Sequence, residues 1–460
     1  MTLALDNSAH SKTLAERLGS WAAELHSDQV PGRALDSAIE CVVDTLGCAL
    51  AGVHAPAARA VRDTMLQGST VGTSTVLGSR QRLPPAQAAF ANSTAAHALE
   101  LDDTDSTGFC HAGAVVVPAT LAAAEAYGAT GLECLTAIVI GYEVTVRLAR
   151  WMNPEHRLRG FHTTATVPTL GAAVAVGRLA GMDRTGITSA LGVAGSFASG
   201  TFEFLTDGSN LKRVHAGKAA FGAIQSVDLV RNGVEGPASV LEGPTGLYAT
   251  MAEPTVAPLD LGDLGECRRI SEVGRKPYPC CRFCHGSIDS AVALHKQGIA
   301  KYELGEVTVT VGKLCAEQTS LAMPVNELQR QFSTPYGVAL GLLYGSASLS
   351  DYRDQPDERA LELARHVKVV VDPDLPVADR KARVTVRSNA GTTWDAETAV
   401  PKGEPQNPLS TDELRTKFFD LAAHTLQADE AVRLYRRLCR LRKAADVRDV
   451  TEALSSESDN

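Results

Sequence analysis

LDSAIECVVDTLGCALAG, residues 35–52, places apolar side chains at Leu35, Ala38, Ile39, Val42, Val43 and Leu46, the three-and-four spacing of one helix face. The same period precedes it at Leu14, Leu18, Trp21, Ala22 and Leu25, with Pro31-Gly32 as the break between the two segments. Further periodic segments begin near Pro85, Ala114, Leu132, Thr166 and Asp183, joined by short glycine-containing breaks, and no alternating strand pattern appears before residue 300. Alanine and glycine are plentiful enough here to let helices approach closely. The first three-fifths of the chain is therefore expected to be a large helical domain.

The pattern changes after Gly265. Val307, Val309 and Val311 alternate with Thr308 and Thr310; residues 367–371 are mostly β-branched; and Val384 and Val386 lead through Asn389-Ala390-Gly391 to Thr392, Thr393 and Trp394 as in a hairpin. Helical periods lie between, at 288–294 and 338–343, so this part reads as a smaller α/β unit with an antiparallel sheet. A capping box at Ser410-Thr411-Asp412-Glu413 starts helices carrying Leu414, Phe418 and Leu421 that resemble those of the first part. The expected architecture is mainly α: a helical domain built from both chain ends, residues 1–270 and 403–460, with an α/β lid inserted at 271–402. The tail, SSESDN at 455–460, is expected to be disordered.

Composition removes several classes of function. A net charge of −9 over 460 residues argues against nucleic-acid binding, which needs a basic surface. Six of the eleven residues from Arg433 to Lys443 are basic, but Leu434, Leu438 and Leu441 among them mark the wet face of an amphipathic helix. No apolar run approaches a membrane span. The N-terminal stretch is acidic and polar where a signal peptide is basic and then apolar, so a cytoplasmic protein is expected. Several of the ten cysteines, Cys41, Cys48 and Cys134 among them, fall inside apolar helices, and no disulfides are expected.

Four segments carry residues that packing does not require. Residues 97–118, HALELDDTDSTGFCHAGAVVVP, hold Glu100, Asp102, Asp103 and Asp105 within six positions, then a polar break, then His111 ahead of an apolar helix. Burial and like charge in such a cluster move pKa values into a catalytic range. Residues 159–166 put His162 and two threonines at the start of a small-residue helix, an end that favours an anion. In residues 206–218, Lys212, Arg213, His215 and Lys218 open another helix, and Lys212 and His215 share a face. The fourth segment, residues 274–285, contains Lys276, Arg282 and the run from Cys281 to His285, formally C-x-x-C-H. Haem attachment of that kind goes with export, and a structural zinc site needs four ligands that the spacing does not supply, so no metal is expected. Dinucleotide, Walker, zinc-protease and serine-hydrolase motifs are all missing. What remains suits proton transfer on an anionic substrate without a cofactor.

Together these segments resemble the MmgE/PrpD family, whose members include 2-methylcitrate dehydratase, cis-aconitate decarboxylase and iminodisuccinate epimerase. The resemblance is carried in order by VVDTLGCALAG (42–52), ANSTAAHALELDDT (91–104), HAGAVVVPATLAAAEA (111–126), GYEVTVRLA (141–149), GFHTTATVPTLGAA (160–173), NLKRVHAGKAAFGA (210–223), KPYPCCRFCHGSID (276–289) and PKGEPQNPLS (401–410). It implies a homodimer, an active site between the helical domain and the lid, no cofactor and a small polycarboxylate substrate. On the family pattern Thr104, His111, His162, Lys212, His215, Lys276 and Arg282 belong to the site. His111 and His162 are expected as acid and base, and Lys212, Lys276 and Arg282 as carboxylate clamps. Glu100, Asp102, Thr104 and His215 are expected beside the substrate.

Three positions and one loop depart from the pattern. Glu100 stands where the family usually has Asp, Ala112 where Pro is common, and Cys281 where some decarboxylases carry His; the loop from Thr104 to His111 differs in length from theirs. These departures weigh against decarboxylation. Dehydration of a 2-methylcitrate-like substrate is the leading expectation, epimerisation of an amino-polycarboxylate the second, and a non-catalytic dimeric binding protein the reading from another class.

Overall fold

The Gly32–Gly52 helix follows from its spacing: Leu35, Ala38, Val42 and Leu46 are buried, and burial continues without interruption from Cys41 to Gly52. The computed structural model describes residues 12–68, 70–299, 304–353 and 355–454. The tail expected to be disordered and the first eleven residues lie outside the described residues. Around this helix pack Leu14–Glu24, Pro85–Ala96, Gly113–Tyr127, Gly131–Met152, Thr163–Leu179, Arg184–Phe197 and Leu211–Arg231, each starting within three residues of its sequence signal where one was read. Among the described residues capping boxes open four helices, at Thr13, Thr130, Ser410 and Gln427.

One hydrophobic core joins residues from Ala15 to Val273 with Leu414, Phe418, Leu421 and the apolar residues beyond them up to Leu454. The Thr411–Ala422 helix returns to the Gly32–Gly52 helix, where a Cβ on Gly47 would lie 3.4 Å from Phe418. From the same returning helix Lys417 Nζ donates to Asp44 Oδ1 at 2.6 Å and to the Leu101 carbonyl at 2.7 Å, so the chain's end braces the acidic stretch. A second core takes Cys280, Phe283, Ile288, the inward valines of the sheet and Tyr336, together with Phe204 from the helical part.

Two expectations need correction. A short antiparallel hairpin, β1 (Ser74–Thr75) with β2 (Arg82–Leu83), does precede residue 300. Two residues per strand are too few to show alternation. The larger sheet, β3 (Leu304–Val311), β4 (Val367–Val371), β5 (Ala382–Ser388) and β6 (Thr393–Thr398), is mixed, in the order β4-β3-β5-β6. Its β3–β4 pair is parallel because the helices between Lys313 and Arg365 form a crossover; the other pairs are antiparallel, and β5–β6 is the hairpin read from the sequence.

Among the described residues no single helix is long and apolar enough to cross a membrane. The bent pair Gly32–Gly52 and Pro56–Gly68, at 88°, passes by length and composition only, and its first helix is core. The nine cysteines from Cys41 to Cys315 are free and buried; Cys439 is free and exposed.

Candidate active site

All four carboxylates of the acidic stretch are buried, each 1 % exposed or less. Buried carboxylates need partners, and the partners divide them into two kinds. Asp105 takes Arg150 at 2.8 Å and the Gly108 amide at 2.9 Å. Asp103 accepts from the Tyr142 hydroxyl at 2.6 Å and the Gly113 amide at 2.9 Å, and burial pushes its carboxyl up to about 7. Gly113 has to be glycine for this approach, since a Cβ there would stand 2.6 Å from Tyr142 Oη. These two aspartates hold the loop. Asp102 and Glu100 face histidines and lysines instead.

The first group is a chain of hydrogen bonds. His97 ends the Pro85–Ala96 helix and Lys212 begins the Leu211–Arg231 helix; the two helices touch where a Cβ on Gly217 would lie 2.2 Å from Thr94 Oγ1 and 2.4 Å from Phe90. That approach brings Lys212 Nζ within 3.1 Å of His97 Nε2. The other ring nitrogen, Nδ1, meets Asp102 Oδ2 at 2.7 Å. Because an ammonium only donates, Nε2 of His97 is the acceptor and Nδ1 carries the proton. Burial pushes the His97 imidazole down to about 3, so it is neutral at physiological pH.

Asp102 Oδ2 is shared. His111 Nδ1 lies 3.2 Å from it and 2.7 Å from the Asp103 carbonyl, which only accepts, so the His111 proton is on Nδ1 as well. Burial lowers the His111 pKa while Asp102 opposes the shift. The result is a neutral imidazole, 12 % exposed, with an unprotonated Nε2 free to accept. The His111 amide donates to Thr164 Oγ1 at 3.2 Å, fixing its main chain against the Thr163–Leu179 helix.

The second group surrounds Glu100, whose φ of +57° is unusual for a non-glycine residue. The turn aims its carboxylate at Lys212, at Arg213 Nη1 at 3.0 Å and at Lys276 Nζ at 3.6 Å, and its carbonyl accepts from Lys276 at 2.9 Å. Burial alone would raise this carboxyl; the three cations outweigh it and hold it well below the usual range. Burial also lowers the Lys212 ammonium against the pull of Glu100. With the histidines neutral, three cations face two carboxylates, which leaves one positive charge in excess in a site where Lys276 is 0 % exposed. That balance invites an anion.

The third group is His162 with His215, their Nδ1 atoms 2.9 Å apart. No carboxylate joins them. Burial and the Lys212 charge hold His162 well below its ordinary pKa, and burial pushes His215 down to about 4, so one neutral ring donates to the other. Phe202 and Phe204 stand edge-on to His162 at 5.5 and 5.3 Å between ring centroids, while the His97 ring lies 6.0 Å away.

Glu100, Asp102, His111, His162, Lys212, His215 and Lys276 thus come together from segments more than a hundred residues apart. Thr104 is held there by its main chain, paired with Gly274 at 2.8 and 2.9 Å, the bridge that brings Lys276 to Glu100. Arg282 belongs to a neighbouring network: Nε donates to Glu404 at 2.8 Å and Nη1 to His285 Nδ1 and the Lys402 carbonyl, leaving a buried Nη2 without a partner. Cys281 is buried and its thiol pushed up to about 12, a neutral group rather than a nucleophile. Sequence reasoning did not single out His97, Gln331, His285 or Glu404 as site residues. Gln331 accepts from Arg213 Nη2 at 2.5 Å and donates to the Leu99 carbonyl at 3.2 Å, pinning the turn that carries Glu100.

The fold also gathers three possible metal ligand atoms, on His97, Asp102 and His111, within 4.8 Å of one another, a set that sequence spacing does not reveal. Their chemistry suits protons better than a cation. Both Nδ1 atoms carry hydrogens directed at acceptors, and an ammonium occupies the far side of His97.

Comparison with known proteins identifies the family. The MmgE/PrpD N-terminal domain matches residues 16–259 and the MmgE/PrpD C-terminal domain residues 278–439. The chain belongs to the MmgE/PrpD family. It is 27 % identical to the cis-aconitate decarboxylase-like protein oryM of Aspergillus oryzae, over 98 % of this chain and 99 % of that one. Against the cis-aconitate decarboxylase of Homo sapiens the identity is 26 %, covering 97 % and 95 %. Against the 2-methylcitrate dehydratase of Escherichia coli it is 24 %, covering 74 % of each. By name these relatives are lyases.

Proposed function

We propose that this protein is a cofactor-independent lyase that removes a proton next to a carboxylate of a small polycarboxylate and expels water. The reading is carried by the hydrogen-bond chain from Lys212 through His97 and Asp102 to His111, set beside the three cations on Glu100. His111 Nε2 takes the proton from carbon; Asp102 stabilises the imidazolium that forms. The electron pair left on carbon becomes the new double bond, and Lys212 and Lys276 balance the charge building on the adjoining carboxylate. His162, accepting the hydrogen bond from His215 Nδ1–H and so presenting Nε2–H, protonates the departing hydroxyl as the C–O bond breaks while the His215 proton passes to it, and the pair regains the proton that His111 took from carbon once water has left. A 2-methylcitrate-like hydroxy acid fits these roles.

Decarboxylation is the second reading, favoured by matches to the decarboxylases above along nearly the whole chain, against three-quarters for the dehydratase. There the breaking bond is C–C, carbon dioxide leaves, and a histidine returns a proton to carbon. The neutral Cys281 thiol at the position where the resemblance places a histidine weighs against it. Epimerisation shares the first step, but none of the three relatives named above adds support.

A homodimer in the cytoplasm accompanies this proposal. The homodimer rests on the family resemblance alone, since small-residue helices such as Thr163–Leu179 are buried within one chain. Incubation of a panel of hydroxy- and unsaturated di- and tricarboxylates in deuterated water, followed by NMR and carbon dioxide capture, tests the reaction. An olefinic product with solvent deuterium exchange and no carbon dioxide is expected. Carbon dioxide in step with product selects the second reading, and inversion without an olefin contradicts both.

A further inference from the structure

Lys218 belongs to the basic segment of residues 206–218, and the proposed reaction gives it no task. It lies half-buried on the Leu211–Arg231 helix, three residues after His215 and so on the same face. Its Nζ donates to the Ala165 carbonyl at 3.1 Å, to the Phe197 carbonyl at 2.8 Å, and to the Ser199 carbonyl and hydroxyl at 2.6 and 3.0 Å. Among the described residues no carboxylate pairs with it, and burial alone acts on its pKa. Phe197 is the last residue of the Arg184–Phe197 helix, where orphan carbonyls and the helix dipole offer a cation partial negative charge. An ammonium with no anion is thus held entirely by oxygens of the main chain and one serine.

Two of those oxygens sit beside the residues that place His162. Ala165 is in the first turn of the helix that His162 caps, and its amide donates to the His162 carbonyl at 2.8 Å. Ser199 precedes Gly200, whose carbonyl accepts from the His162 amide at 3.0 Å. Gly200 is wedged between the two histidine-bearing segments: a Cβ there would lie 2.4 Å from Ala165 Cβ and 3.5 Å from His215 Cε1. The ammonium is therefore the point at which the stretches carrying His162, Gly200 and His215 are tied together. One neutral hydrogen bond between two rings contributes little by itself, so their register depends on how the chain around them is fixed. The charge acts in the same sense, because burial and then Lys218 push His215 down to about 4 and keep it neutral.

We infer that Lys218 is a positioning residue: by tying the start of the Thr163–Leu179 helix and the Ser199–Gly200 segment to its own helix, its ammonium holds His215 Nδ1–H against His162 Nδ1 and so aims the far nitrogen of His162 at the leaving group. The effect on rate rests on the role that the lyase reading gives His162. The effect on the histidine pair rests on the geometry alone.

Side-chain NMR of ¹⁵N-histidine-labelled protein reads the pair without a substrate, through the nitrogen–nitrogen coupling across the His162–His215 hydrogen bond. The wild type should show the coupling, Lys218→Met should lose it with the tautomers of His97 and His111 unchanged, and Lys218→Arg should keep it. Lys218→Gln, neutral but still a donor, should weaken it and serves if the methionine variant does not fold. On a verified substrate Lys218→Met should lower kcat by about 10- to 100-fold with KM nearly unchanged, the loss that a misplacement of about 1 Å brings, and Lys218→Arg should recover most of it. A coupling that persists in Lys218→Met, or one missing from the wild type, overturns the inference. So does a variant in which His97 and His111 change together with His162 and His215, because Lys218 is then a brace for the fold at large. Finding no polycarboxylate that is turned over would instead sink the lyase reading and leave the NMR result to decide the role of Lys218.

Discussion

His97 and His111 meet across a carboxylate; His162 and His215 meet directly. In the first pair Asp102 Oδ2 lies 2.7 and 3.2 Å from the two rings, with further partners fixing each tautomer; in the second, two buried neutral rings share one hydrogen with no anion near. The difference assigns work. A ring backed by a carboxylate has an anion to offset the charge it takes on, although burial holds both rings of that pair below their ordinary pKa, whereas a ring backed by another ring, with Lys212 beside it, has no such offset. The first pair is thus built to accept a proton from carbon and the second to lend one to a leaving group and recover it.

The largest effect expected from breaking this contrast is at His111. His111→Asn should lower kcat by about 10²- to 10⁴-fold, the range of general base catalysis, at unchanged thermal stability. A variant with full kcat on a verified substrate would return the acidic stretch to a structural role. Lys212→Met comes next. It removes a charge-assisted hydrogen bond worth about 1.5–3 kcal/mol and should reduce kcat/KM by about one to two orders of magnitude, chiefly through KM, because Arg213 and Lys276 still neutralise Glu100. A selective loss in kcat would move Lys212 from clamp to proton relay.

Asp103 offers a test through pH, because it sits beside Asp102 with no ring to pair with. Its folded pKa of about 7 is above that of a free carboxylate, so the folded state favours the neutral form. The stability this contributes is present below about pH 4 and is lost as pH rises toward 7. Asp103→Asn should therefore gain stability relative to wild type as pH rises from 5 to 7.5, by on the order of a few kcal/mol at most, read as a Tm difference that grows with pH. A Tm difference that does not change with pH would show that Asp103 is ionised in the fold. The smallest effect concerns the cysteines: a thiol reagent at pH 7 should react quickly with Cys439 and slowly with the other nine, which are buried. Rapid labelling of Cys281 would show its segment open to solvent.

Helical periodicity made most of the fold readable, because helices such as Leu14–Glu24 bury one face and show it every three or four residues. The β1–β2 hairpin was not readable at two residues a strand, nor was the parallel β3–β4 pair, which depends on how a crossover of helices closes. At the site, clustered charge exposed the stretches containing Glu100, Lys212 and Lys276. His97 escaped notice because its partners lie 5 and 115 residues away, and only the close approach at Gly217 brings the second of them to it. Arg282 was read as a clamp from its position; Glu404, 122 residues on, engages it.

The histidine contrast is tested most directly by long-range ¹H–¹⁵N NMR of the side-chain nitrogens, which reports tautomer and charge without requiring a known substrate. At pH 7 His111 should be neutral with its proton on Nδ1 and Nε2 bare, and Asp102→Asn should lower its pKa further. A His111 that is imidazolium at pH 7, or that carries its proton on Nε2, would contradict its assignment as the base.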